Sequence, residues 1–228
     1  MRIARVGVLG GTFNPIHFGH LHIAERVREI FSLSRVYFVV ATVPPHKLGE
    51  KLIPFVHRYA MVSLAVAGNP RFVPSMMELE PEASAFSIDT MKKFECLLAR
   101  EKSALYFIAG GDSLAEVKSW RDSEKLLTSY NFVFAARPGT EPVLSDDVLP
   151  QKALARVRDL TGLGMDRMRR KIAGEKTGEN RIYIVDVDAL DISATRIRGL
   201  ASGGKPYRRM VPGPVCEYIR KHHLYGER

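Results

Sequence analysis

The segment Gly10-Gly11-Thr12-Phe13-Asn14-Pro15-Ile16-His17-Phe18-Gly19-His20 gathers residue types suited to holding a bulky anion. Glycine lets backbone N–H groups approach a phosphate where a β-carbon would collide. A helix opening at the His-x-Gly-His run adds free N–H groups and a positive dipole end. His17 and His20 are three residues apart, so their imidazoles fall on one face of that helix. Gly19 between them leaves room for a phosphate chain or an adenine against the backbone. The stretch is neither the Gly-x-Gly-x-x-Gly of dinucleotide binders nor the Gly-x-x-x-x-Gly-Lys-Ser/Thr phosphate loop. Gly174-Glu175-Lys176-Thr177 resembles the end of the latter, but no strand leads into it and the first glycine is missing. Two histidines without an obvious third ligand make a thin case for a metal.

A second grouping lies near the other end: Ile192-Ser193-Ala194-Thr195-Arg196-Ile197-Arg198. Ser193 is a credible N-cap for a short helix to about Ala201, which creates a second anion-binding helix start. Thr195, Arg196 and Arg198 stand beside it, and a guanidinium grips phosphate oxygens with paired donors at any physiological pH. Three single residues complete the candidates. Asp112, after Gly110-Gly111, can accept hydrogen bonds from two hydroxyls at a strand end. Trp120 is the only tryptophan; its flat face suits a pyridinium ring, or it packs in the core. Lys47 follows Pro44-Pro45-His46, so a stiff backbone carries a mobile ammonium, unless it is an ordinary exposed lysine. Asp186, Asp188 and Asp191 read as strand-end solvation and capping rather than metal ligands.

The elements that must position these residues alternate between strand and helix. Val6 to Leu9 is a short apolar run ending in glycines, and beyond it Ile23, Ala24, Val27, Ile30 and Phe31 recur at helical spacing. Val36 to Ala41 predicts the next strand. Helices are expected over Pro54 to Val66 and Thr90 to Ala99, and strands at Leu105 to Ala109, Phe132 to Ala136 and Ile182 to Val187. A further helix is expected near Leu149 to Leu160, followed by a glycine- and charge-rich excursion. Repeated strand–helix–strand units imply an α/β fold, a doubly wound parallel sheet with ligands beyond the carboxyl ends of its strands. With no composition break or internal repeat, residues 1–228 read as a single domain with a C-terminal helical segment at about 193–225.

Composition agrees with an ordinary globular chain: 46% hydrophobic and 26% charged over 228 residues. No apolar run approaches the ~20 residues of a membrane helix, so no membrane association is expected. The basic, apolar N-terminus lacks a cleavage site and reads as a buried first strand rather than a signal peptide. Cys96 and Cys216 form no disulfide or zinc pattern, which suits a reducing cytosol and a cytoplasmic enzyme. The net charge of +9 raises the question of nucleic acid. Residues 156 to 181 hold eight Lys or Arg against four acids, a segment that more often solvates a surface. A positive field also serves small anionic substrates.

The two terminal groupings together resemble the nucleotidylyltransferase family, marked by His-x-Gly-His and Ile-Ser-x-Thr-x-x-Arg, and within it the bacterial nicotinate-nucleotide adenylyltransferases. The resemblance spans nearly the whole chain, through Val43-Pro44-Pro45-His46-Lys47, Arg58, Gly110-Gly111-Asp112-Ser113 with Trp120, Arg137-Pro138-Gly139 and the ending Pro214 to Tyr225. It implies a Rossmann-like fold and transfer of the adenylyl group of ATP to nicotinate mononucleotide, as in NAD biosynthesis, with Mg2+ arriving on the ATP. It implies a catalytic set of His17, His20 and Lys47. The ATP site implied is Gly10, Gly11, Thr12, Phe13, His17, Gly19, His20, Gly110, Asp112, Ile192, Ser193, Thr195, Arg196 and Arg198. The mononucleotide site implied is Asn14, Lys47, Phe86, Ser87, Asp112, Trp120 and Arg137, and a homo-oligomer is compatible with the family. The chain departs from the pattern in three places. Ser84-Ala85-Phe86-Ser87 stands where relatives often show Pro-Ser-Tyr-Thr, Asn14 where others have Asp, and Ala136 where some have Arg. Pantetheine-phosphate adenylyltransferases and cytidylyltransferases are the nearest rivals, but usually lack the Pro-Pro-His-Lys loop.

Overall fold

A computed structural model describes residues 3–42, 52–79, 86–136, 144–175, 178–188 and 190–226. Seven strands are found among them: β1 (Ala4–Gly11), β2 (Arg35–Val40), β3 (Phe72–Ser75), β4 (Ser103–Gly110), β5 (Asn131–Ala136), β6 (Val157–Asp159) and β7 (Ile182–Asp186). They pair in parallel in the order β3-β2-β1-β4-β5-β7-β6. The order reverses between β1 and β4, which places the crevice for a ligand over Gly10-Gly11 and Gly110-Gly111. The expected doubly wound α/β sheet is therefore present.

Both faces of the sheet are buried, as parallel sheets require. Along β5, Phe132 and Phe134 belong to one core cluster while Val133 and Ala135 belong to the other. On the first face lie α1 (Phe18–Phe31), α2 (Phe55–Val66), α6 (Met165–Ala173), α7 (Ala194–Ser202) and α8 (Gly213–Lys221); on the second lie α3 (Ser87–Leu97), α4 (Ser123–Ser129) and the short α5 (Gln151–Leu154). The C-terminal segment closes back on the sheet. The Tyr218 hydroxyl of α8 and His57 Nδ1 of α2 share a hydrogen bond of 3.0 Å, and Phe18 N–H donates to Met210 O at 3.0 Å.

The expected helix over Leu149 to Leu160 is corrected. After Pro150 only Gln151–Leu154 is helical, and Val157–Asp159 pairs with β7 as an edge strand. The apolar residues of this segment fit a helical spacing, but Leu149, Ala153 and Leu160 reach the core from a turn, a short helix and a strand end. Pairing with β7 outweighs local periodicity here. β3 was not expected. It is four residues long and contains Pro74, which a sheet tolerates at its edge, where β3 lies. The basic excursion contains α6, which buries Met168 and Ile172 and leaves Arg167, Arg169, Arg170 and Lys171 exposed.

Candidate active site

The chain leaves β1 through a packed turn. Phe13 adopts φ 47, a left-handed conformation unusual for a large side chain. Its ring is 2% exposed and lies so close to Gly11 that a β-carbon there would sit 2.9 Å from it. Ile16 is fully buried. His17 then takes the N-cap position of α1 with extended backbone. A β-carbon on Gly19 would approach the His17 ring to 3.0 Å and Ile192 O to 3.7 Å, so the glycine admits close packing of the two ends of the chain.

The imidazoles of His17 and His20 stack with centroids 3.7 Å apart, and Phe13 meets His20 edge-on at 5.0 Å. His20 Nδ1 accepts from the His17 backbone N–H at 3.3 Å, which leaves the ring proton of a neutral His20 on Nε2. Burial lowers the His17 pKa to about 4. Burial, and secondarily the adjacent His17, pushes His20 well below the usual imidazole range. Both rings are therefore neutral hydrogen-bond donors at pH 7. His17 Nδ1 and Asn14 Nδ2 are buried without a partner among the described residues, an arrangement suited to polar groups awaiting a ligand.

The closing junction is built differently. The Ser193 hydroxyl accepts from Arg196 N–H at 3.2 Å and caps α7 as expected. Ser193, Thr195 and Arg196 are exposed, and Arg196 pairs with Asp191 at 3.5 Å. Arg198 reaches across: its Nη1 donates to Asn14 O at 2.9 Å and its Nη2 to Thr195 Oγ1 at 3.3 Å. The Tyr225 hydroxyl donates to Asn14 Oδ1 at 2.8 Å. The two junctions thus converge on Asn14. Asp186 accepts from Gly162 N–H at 2.7 Å, and Asp188 lies 3.8 Å from Arg26; these two and Asp191 serve local contacts, as expected.

Two adjoining cavities share Gly10 and Gly110. One, of about 370 Å3, is lined by His17, Gly19, His20, Asp112 and Ile192. The other, of about 600 Å3, is lined by Gly11, Thr12, Glu78, Phe86, Ser87, Trp120 and Arg121. Trp120 packs edge-on against Phe107 at 5.9 Å while facing this second cavity. Lys47 and Arg137 lie outside the described residues, as do Val43, Pro44, Pro45, His46, Ser84, Ala85, Pro138 and Gly139. Ser193, Thr195 and Arg196 do not line either cavity. They flank the first one through Ile192.

Sequence reasoning missed two supports. Arg58 is 1% exposed and donates to the carbonyls of Ile53, Thr12, Ala41 and Thr42 at 3.1, 2.8, 2.6 and 2.8 Å. It clamps the loop after β1 to the end of β2. An arginine in an otherwise apolar helix face was the available signal. Glu78 accepts from Thr42 N–H at 3.3 Å and Thr90 Oγ1 at 3.2 Å, and burial raises its pKa. Nothing in its sequence neighbourhood marks it.

A doubly wound sheet with two helix starts meeting over its switch point defines a nucleotide-binding α/β protein. The cytidylyltransferase-like family model matches residues 8–200, and the chain belongs to that family. A Thermoanaerobacter protein named "Probable nicotinate-nucleotide adenylyltransferase" is 41% identical over 98% of this chain and 95% of its own length. Proteins of the same name from Moorella thermoacetica and Geobacter sulfurreducens are 36% and 39% identical over 100% and 97% of the chain, covering 94% and 98% of their own lengths. Among solved structures, the nicotinic acid mononucleotide adenylyltransferase of Plasmodium falciparum complexed with NaAD aligns with a TM-score of 0.69 at 16% identity. It covers 97% of each chain, a likeness of fold. No helix among the described residues is long and apolar enough to cross a membrane.

Proposed function

We propose that this chain transfers the adenylyl group of ATP to nicotinate mononucleotide, giving nicotinate adenine dinucleotide and pyrophosphate in the cytoplasmic synthesis of NAD, with residues 1–228 acting as one unit. The observation that carries the reading is the pair of adjoining cavities at the switch point, one beside the stacked histidines and one beside Trp120. Their arrangement suits a triphosphate and a pyridine nucleotide meeting over Gly10 and Gly110. The relatives' names point the same way.

The mononucleotide phosphate attacks the α-phosphorus in line; the new P–O bond forms as the bond to pyrophosphate breaks. With a second pKa near ~6 that phosphate is largely dianionic at pH 7 and requires no general base. The task of the protein is to position two mutually repelling anions and stabilise charge moving to the leaving group. His17 and His20, neutral and desolvated, donate to phosphate oxygens without themselves titrating. Arg198, Thr195 and the capped start of α7 hold the pyrophosphate end, and Lys47 neutralises the incoming phosphate. Asp112 takes ribose hydroxyls, and Trp120 with Phe86 and Ser87 receives the pyridine ring. Mg2+ comes as part of the ATP substrate; Asp112 is the exposed carboxylate on the first cavity, and a hydrated ion held by phosphates needs few protein ligands.

The test is pyrophosphate release measured for ATP and for CTP, each with nicotinate mononucleotide, nicotinamide mononucleotide or phosphopantetheine. Release with ATP and a pyridine mononucleotide supports the reading. Turnover only with CTP, or only with phosphopantetheine, contradicts it.

A further inference from the structure

The cavity beside Trp120 has an uneven charge lining. Three ionisable side chains face it: Glu78, Glu116 and Arg121. Glu78 is buried, with one oxygen bound to Thr42 N–H and the other to Thr90. Two carboxylates would repel an anionic ligand, so any selection for one must come from the cation. Arg121 sits next to the sole tryptophan, and its guanidinium carbon lies 4.7 Å from the centroid of the Phe86 ring. Stacking over an aromatic face restricts the guanidinium while leaving its in-plane donors free. No ion pair or hydrogen bond engages this side chain among the described residues, whereas Arg58, Arg196 and Arg198 around the site are all committed to protein partners.

The geometry points to Arg121 as a specificity-determining residue that binds the ring carboxylate of the pyridine mononucleotide and so favours the acid over the amide. This inference deepens the proposed function and rests on it for the identity of the ligand. A planar carboxylate beside a ring stacked near Trp120 matches the paired donors of a guanidinium. A carboxamide presents one acceptor and its own N–H donors, so it loses the charge and one of the two bonds. The carboxylate also offsets the positive pyridinium on the same ring, while Glu78 and Glu116 act against a second free anion.

The test uses the full chain and two readouts. Trp120 is the only tryptophan, so quenching of its fluorescence reports binding in this cavity independently of turnover. Dissociation constants for nicotinate and nicotinamide mononucleotide would be compared in the native protein, Arg121→Met and Arg121→Lys, alongside kcat/KM from pyrophosphate release. Loss of a charge-assisted contact predicts that Arg121→Met weakens nicotinate mononucleotide roughly 10-fold or more, with the amide little changed. Arg121→Lys keeps the charge without the fork and is expected between the two. Arg121 is exposed, so the melting temperature should hold. Equal loss for both ligands, or unchanged binding of the acid, overturns the inference. Quenching that depends on Arg121 without pyrophosphate release would instead overturn the proposed function and leave the recognition of a pyridine carboxylate standing.

Discussion

The opening and closing junctions of the sheet face the same cleft but are built in opposite ways. At the opening, Phe13, Asn14, Ile16 and His17 are all less than 8% exposed, and their polar atoms are held by packing. At the closing, Ser193, Thr195 and Arg196 stand in solvent and are ordered by a helix cap and an exposed ion pair. Desolvated donors act strongly on developing charge and cost little reorganisation. Exposed cations are screened and adjustable. The opening junction is therefore the catalytic element and the closing junction the adaptable grip, joined by the bond from Arg198 to Asn14 O.

The contrast can be broken first at Arg58, whose four carbonyl bonds brace the opening loop. Arg58→Leu strands buried acceptors and is expected to cost about 3–5 kcal/mol of stability, read from denaturant unfolding. Next comes His20→Ala, expected to lower kcat on the order of 10²-fold or more with an unchanged circular dichroism spectrum and melting temperature. Near-normal turnover in that variant would move catalysis away from the opening junction.

Acidification probes the same side. His17 titrates at about 4 in the fold against 6.5 unfolded, so below 6.5 the unfolded chain binds protons that the folded chain does not. Stability from this group is complete above 6.5 and falls as the pH drops towards about 4, by on the order of 3 kcal/mol. His17→Gln should flatten that part of the pH–stability curve. The smallest effect belongs to the closing side. Ser193→Ala removes an exposed cap worth ~1 kcal/mol and should raise the KM for ATP more than it lowers kcat. A kcat loss as large as that of His20→Ala would erase the distinction between the junctions.

How much was legible in the sequence follows the same division between local and distant causes. β1, β2, β4, β5 and β7 announce themselves as apolar runs because both their faces are buried. β3 and β6 do not, because edge strands of three or four residues carry too little pattern. His17, Gly19, His20 and Ser193 were readable because helix starts are local chemistry. Arg58, Glu78 and Tyr225 were opaque as positioning residues: they bond to Thr12, Thr42 and Asn14, which lie 46, 36 and 211 residues away. Arg121 gave no sequence signal apart from its place beside Trp120; its use depends on a ring 35 positions earlier in the chain. The helix expected over Leu149 to Leu160 failed because pairing with β7 is a tertiary fact.

Everything depends on one triphosphate being gripped from both ends of the chain. A crystal structure with an ATP analogue carrying a methylene between the α- and β-phosphorus tests this directly. The account predicts phosphate oxygens within hydrogen-bond distance of both the His17–His20 pair and the Ser193-to-Arg198 turn. Phosphates touching only one junction, or lying outside the crevice over Gly10 and Gly110, would contradict it.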